Sequence, residues 1–406
     1  MYKKVFLTAA GCIMATVAAA SQTDSAHYSG FHFGLIYPLS TNGRLAPQYT
    51  NGVSWHALAG VSQNEQTFTL SGLANIVYND ATGLQLAGIF NYVGHNGTGI
   101  MLSGMVNNVE NNYRGVLLSG LINRNRNEVT GIQIAGLLNA SDDLTGMQIA
   151  GLLNASDNLT GMQIAGLLNA SDNLTGMQTA GLLSAAADLT GMQTAGLLSA
   201  ADNLTGMQCA GLISAADNLT GIQLAGLVNM AKRVNGLQFA GLLNIADSSD
   251  YSIAFINIIK NGEKGIALSY DETGSIIASF RSGGRITYGI LGTGYNHKTG
   301  KQPFLMEGGW GVHINCTTRF RINNELTMAA LLFQKNPTFK ISYRLHAAYR
   351  LLPHIEIFAG PSIHYMQTNN ADHTNIFPRH ALWKNDGISK LQQVFTGYQA
   401  GIQYFL

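Results

Sequence analysis

Two different rhythms of hydrophobic and polar residues divide the chain. Through its middle a Gly recurs at 83, 99, 115 and 131, a step of 16, then at 146, 161, 176, 191, 206, 221 and 236, a step of 15. Each Gly opens a unit that reads Gly-Met-Gln-Ile-Ala-Gly-Leu-Leu-Asn-Ala-Ser-Asp-Asn-Leu-Thr over residues 161–175. The second slot is always aliphatic or Met, the third is usually Gln (Gln133, Gln148, Gln163 and onward), and the sixth is Gly again. The end of the unit is Ala, Ser, Asp and Asn, the residues of turns. Two helices do not fit in 15 residues, and two fixed Gly would each cost a helix about 1 kcal/mol. A strand of six to nine residues followed by a turn fits.

Two architectures remain: a β-solenoid with one coil per unit, or a barrel wall with one strand per unit. Stacked coils would place equivalent residues ~4.8 Å apart. The side-chain amides of Asn139, Asn154 and Asn169 would then hydrogen-bond up the stack, as stacked Asn ladders do. Residues 131–230 contain no Phe, Tyr or Trp, whereas membrane barrels carry aromatic girdles. The solenoid is the expected form of the repeat.

The flanks alternate with period two instead. Phe339, Ile341, Tyr343, Leu345, Ala347 and Tyr349 share one face. Lys340, Ser342, Arg344, His346, Ala348 and Arg350 share the other. Aromatic ends and a polar opposite face are the pattern of a membrane strand with a polar lumen. Trp310, Val312, Ile314 and Cys316 predict another strand; Ile355, Ile357, Ala359, Ile363 and Tyr365 predict one more. The chain ends on alternating Tyr398, Ala400, Ile402, Tyr404 and Leu406, which resembles the terminal assembly signal of outer-membrane barrels. The departure is that Phe405 stands one place before the end. Phe31, Phe33, Leu35 and Tyr37 are candidates for a closing strand, and residues 252–260 read as a decayed repeat.

Composition fits an envelope protein. Hydrophobic residues are 46% and charged residues only 11%, against ~25% charged in soluble domains. Lys3 and Lys4, the apolar run that follows and the small residues 18–20 predict a signal peptide over 1–20. A lipoprotein site at Cys12 is the weaker reading, because it leaves too short an apolar region. Cleavage after Ala20 leaves Cys209 and Cys316, read as unpaired thiols in packed strands rather than a disulfide framework. Residues 131–230 hold seven Asp and no Glu, Lys or Arg. The block is therefore −7, and the remainder is +8 to give the net +1. No basic cluster suggests nucleic acid.

Catalytic motifs are not found: no Walker loop, no zinc-protease helix, no Cys pair and no nucleophile elbow. No catalytic, cofactor-binding or metal-ligating residue is assigned. His313, His346, His354 and His364 fall at polar-facing slots without ligand spacing. Asp142, Asp157, Asp172, Asp202 and Asp217 share one slot. A parallel stack would line them up, which makes a weak Ca²⁺-binding edge conceivable against the simpler reading of turn-capping Asp.

With these units in view, the chain resembles a family of bacterial surface-repeat proteins with short G-x-Q-x-x-G-L-x-N units after a signal peptide. The likeness covers residues 83–259. Family units usually carry a bulkier Ile-Gly-Leu-Ile-Asn core where this chain has Ile-Ala-Gly-Leu-Leu-Asn. The resemblance implies a surface location and supplies no site residue.

The expectation is an all-β chain. A signal peptide (1–20) precedes N-terminal strands (21–82), a tandem β-repeat with a solenoid favoured (83–260), and an antiparallel, membrane-barrel-like region (261–406). The expected role is non-enzymatic: a structural or adhesive protein of the outer membrane or cell surface. Its partners would be membrane lipid and a surface ligand or polysaccharide, without cofactors. An outer-membrane channel is the first alternative, should repeat and flanks close into one barrel with Lys340, Arg344 and Arg350 favouring anions. A carbohydrate-active solenoid is the second.

Overall fold

The computed structural model describes residues 27–299, 303–331, 338–369, 375–387 and 390–406. The signal peptide expected over 1–20 lies outside them. The fold is nearly all β, a β-solenoid of about 14 turns and a closed eight-stranded antiparallel barrel. By its contacts the chain divides into two compact units, Met1–Asp202 and Asn203–Leu406.

In the first unit every coil pairs in parallel with the next at the repeat spacing. Gly146 lies opposite Gly161 and Gln148 opposite Gln163; in the next pair, Leu159 lies opposite Leu174. From residue 144 to 199 each coil turns inward a Leu, a Gln, an Ala and an Asn or Ser; Leu144, Leu159, Leu174 and Leu189 form one buried row. The expected Asn ladder is present. Asn139 Nδ2 donates to Asn154 Oδ1 at 3.0 Å, and Asn154 Nδ2 to Asn169 Oδ1 at 3.0 Å. Each also donates to a backbone carbonyl, at Ile149 and Ile164 respectively. A second ladder runs beside it through Gln163 to Gln148, Gln178 to Gln163 and Gln193 to Gln178, at 2.8–2.9 Å. Buried amides are costly unless bonded. In these two ladders an amide is answered by its copy one coil away, which favours a nearly identical repeat.

The parallel pairing reaches back to the first described strand. His27–Ile36 runs parallel to Tyr49–Ser62. Phe31, Phe33, Leu35 and Tyr37 therefore belong to the solenoid and close no barrel. The alternative of repeat and flanks sharing one large barrel fails with them.

In the second unit the coils continue through Ile256–Ile259, whose Asn257 accepts from Asn244 at 2.9 Å. The decayed repeat is thus a true coil. Eight antiparallel strands follow: Lys264–Asp271, Ser275–Gly283, Thr287–Asn296, Phe304–Asn315, Phe320–Leu331, Phe339–Leu352, Ile355–Thr368 and Lys390–Phe405. The last pairs with the first, Gly265 opposite Phe405, which closes the barrel. Cys316 stands in the turn after its expected strand and is exposed. That corrects its reading as a packed thiol.

Candidate functional site

The barrel separates its side chains by charge, as strand alternation requires. Outward stand Ile266, Leu268, Tyr270, Met306, Met328, Tyr343, Ile363, Ile402 and Tyr404, all exposed. Inward, four carboxylates (Asp271, Glu307, Glu325, Glu356) and four cations (Arg281, Arg321, Lys340, Arg344) are buried. They pair. Arg281 Nη2 lies 3.0 Å from Glu325 Oε1, and Arg344 Nη1 donates to Glu307 Oε1 at 3.0 Å. Arg321 Nη2 donates to Glu356 Oε1 at 2.9 Å, and Lys340 holds Asp271. At the rim, Arg350 reaches Glu263 at 2.7 Å. Lys340, Arg344 and Arg350 do face inward or to the rim as expected. Each meets a carboxylate, however, so they form no free cationic lining for anions.

Of the four histidines, His313, His346 and His364 are buried inside. His313 Nδ1 is 2.8 Å from Asn323 Oδ1, and His364 Nδ1 is 2.7 Å from Ser342 Oγ. His354 sits in a tight turn, its Nδ1 3.2 Å from the Phe405 carbonyl. Among the described residues no three His, Cys, Asp or Glu side chains come together as a metal would need. The Asp slot runs Asp142, Asp157, Asp172, Ala187 and Asp202 in the first unit. In the second, Lys232 pairs with Asp217 at 2.6 Å and Lys260 with Asp247 at 2.6 Å.

One end of the barrel carries the tight connections 284–286, 316–319 and 353–354 together with Leu406. The solenoid joins at this end through residues 260–263. The other end carries the connection 272–274 and the strand ends Asn296, Phe304, Leu331, Phe339, Thr368 and Lys390, which longer stretches of sequence join. The last coil laps onto the outside of the wall near the tight end. Ser252 N–H donates to Thr287 Oγ1 at 2.7 Å, and Asn257 N–H to Ser282 Oγ at 3.0 Å. Phe255 stacks on Trp310 with ring centroids 5.6 Å apart. The solenoid's backbone edge is thereby covered rather than left as an open strand.

Sequence reasoning missed a polar cluster buried in the first coils. Glu65 accepts from Asn51 at 3.0 Å, from Ser54 at 2.8 Å and from Thr69 at 2.9 Å. His32 Nδ1 is 3.1 Å from Asn51 Nδ2, and His56 lies edge-on to His32 with centroids 4.5 Å apart. Burial lowers the pKa of both rings to about 4, and His32 adds to the effect on His56. Burial pushes the Glu65 carboxyl up. These residues lie outside the regular repeat, so no periodic signal marks them.

This cluster makes the first coils acid-sensitive. As pH falls from about 6.5 to about 4, each unfolded His gains a proton that its folded counterpart refuses, and stability drops. Glu65 works the other way, since its folded carboxyl takes a proton before the unfolded one does. The histidine contribution is isolated by removing both rings, His32→Gln with His56→Gln. Hydrogen exchange over residues 49–77, corrected for intrinsic rate, should show a larger fall in protection across that window in the native chain than in the double variant. A fall of equal size in the double variant would contradict this account.

No helix among the described residues is long and apolar enough to cross a membrane. Comparison with known proteins finds no match to a protein family, a curated protein or a solved structure.

Proposed function

We propose that the chain is a non-enzymatic envelope protein whose barrel is an outer-membrane anchor and whose solenoid has a structural role. The observation that carries this is the barrel's reversed polarity. Its outside is apolar and aromatic around a closed wall, and its inside holds the charges. A soluble barrel has the opposite arrangement, whereas outer-membrane barrels have this one. The paired and buried interior favours an anchor over a channel.

In outer-membrane barrels short turns face the periplasm and longer loops face outward. The solenoid joins at the end with the short turns, so we assign it to the periplasmic side. That favours a structural role there over adhesion at the surface. The near-identity of the coils also argues against a polysaccharide-cleaving site, which needs convergent polar groups that break the pattern.

The test is epitope accessibility on cells. One tag is placed between Arg379 and His380, and another between Asp172 and Asn173. The expected result is labelling of the first on intact cells, and of the second only after the outer membrane is opened. Labelling of the second on intact cells would restore surface display. Recovery of the protein in the soluble fraction would overturn the anchor.

A further inference from the structure

The coils next to the barrel differ from those just before them, and the difference lies on the outside. The slot that holds Ile134, Ile149 and Ile164 in earlier coils and Thr179 and Thr194 after them becomes Cys209, Leu224, Phe239 and Ile253. The slot occupied by Ala185 and Ala200 becomes Met230, Ile245 and Ile258 after Ala215. Both slots point outward: Phe239 is 42% exposed, and Met230 and Ile258 are 45% exposed. Neither change serves the solenoid core, which keeps its Gln and Asn ladders through Gln238 and Asn244.

Between the two slots runs an apolar row, Leu212, Leu227 and Leu242, all exposed. It is stacked by backbone bonds of 3.0 Å from Leu227 N–H to Leu212 O and 3.1 Å from Leu242 N–H to Leu227 O. The next residue in the row is Phe255, the residue stacked on Trp310. Gly308, beside it, admits the ring; a Cβ there would stand 2.9 Å from Phe255 Cε1. Trp310 and Gly308 belong to the outward face of their strand, with exposed Met306, Val312 and Ile314. The row therefore ends on the barrel's apolar outer wall. Every charged residue of these coils (Asp217, Lys232, Arg233, Asp247, Asp250 and Lys260) lies outside the row and its two flanking slots.

We infer that this face of the last coils is a lipid-contact surface, an extension of the barrel's apolar belt into the adjoining leaflet. The inference rests on the membrane reading of the barrel. Its occupant is a lipid bilayer because the row is continuous with the wall that reading places in lipid. The outward bulk at both slots is also greater from Leu224 and Met230 onward than in the coils of Thr194 and Ala200, whereas an interface between two solenoids would favour the uniform rows of the central repeats.

Site-directed spin labelling of the full chain in phosphatidylethanolamine–phosphatidylglycerol vesicles tests this. The background carries Cys12→Ser, Cys209→Ala and Cys316→Ala. Labels are introduced singly by Met328→Cys on the barrel wall, Leu227→Cys and Leu212→Cys on the row, and Asn218→Cys beside Asp217, off the row. The expected result is preferential collision with oxygen over a water-soluble nickel chelate, by several-fold, at 328, 227 and 212, and the reverse at 218. Lipid exposure at 328 with water exposure at 227 and 212 would overturn this inference and leave the anchor intact. Water exposure at 328 would overturn the anchor, and this inference with it. Shielding of 227 and 212 from both reagents, with spin–spin broadening, would assign the row to a second copy and overturn lipid contact.

Discussion

Gly161→Ala should destabilise the solenoid by about 3 kcal/mol or more, although it adds one methyl group at a position that is not buried. Gly161 has φ of +134°, where L-residues are strained. Such strain costs on the order of 1–3 kcal/mol. An added Cβ would also stand 2.0 Å from the carbonyl oxygen of Gly146 in the preceding coil, and that backbone cannot move without breaking its own pairing. Relief would require separating two coils that share the Asn and Gln ladders. In a stack where each coil contacts only its neighbours, the damage should stay local. Hydrogen exchange should show lost protection in the coils around 146–176 and little change in the first coils. The neighbouring Thr160→Ala, at an exposed site outside the ladders, should change little. Equal stability of the two variants would show that the coil spacing can relax.

Those Gly columns were legible in the sequence as invariance, and their cause was not. The sixth-slot Gly has ordinary backbone angles, and a Cβ on Gly166 would meet the Gly151 carbonyl oxygen at 2.1 Å. Across the whole unit the repeat shows no clean alternation of apolar and polar residues. Within one side of a coil it does hold: Leu159, Gln163 and Ala165 point in, while Thr160, Met162 and Ile164 point out. It is reset at each corner, so a period-two search across the whole unit fails. The Asn column reads as a ladder because identical residues at the strand spacing admit little else, and the Gln column carries the same signal.

In the barrel the strands and their faces were legible, since alternation is local. The ion pairs were not. Lys340 and Asp271 are 69 residues apart, Arg344 and Glu307 are 37 apart, and Arg350 and Glu263 are 87 apart. Nothing in the spacing pairs them before the register is known, so the cations read as an open lining. The same limit hid Trp310 as the partner of Phe255. The repeat places Phe255 in its row but gives no hint that the row ends on a strand of the other architecture.

Arg344→Ala should cost the barrel about 3–5 kcal/mol, the usual cost of leaving a buried charge without its partner. Arg344 is fully buried, holds both oxygens of Glu307 and lies 3.9 Å from Glu325. Its loss strands Glu307, whereas Glu325 keeps Arg281 and the Tyr288 hydroxyl, the latter at 2.8 Å. The pair is not ideally satisfied even in the native barrel, since Arg344 Nε finds no hydrogen-bond partner. Replacing both residues with apolar ones of similar size should therefore recover most of the loss, because desolvating a buried pair offsets much of its attraction. The experiment is urea unfolding of the full chain in detergent micelles, comparing the native protein, Arg344→Ala, Arg344→Met and the double variant Arg344→Met with Glu307→Leu. The single variants should fall together and the double variant should return to within about 1–2 kcal/mol of the native chain. A double variant as unstable as the singles would mean that the barrel interior depends on the whole charge network, with Glu325 and Arg281 needing Arg344 to hold their places.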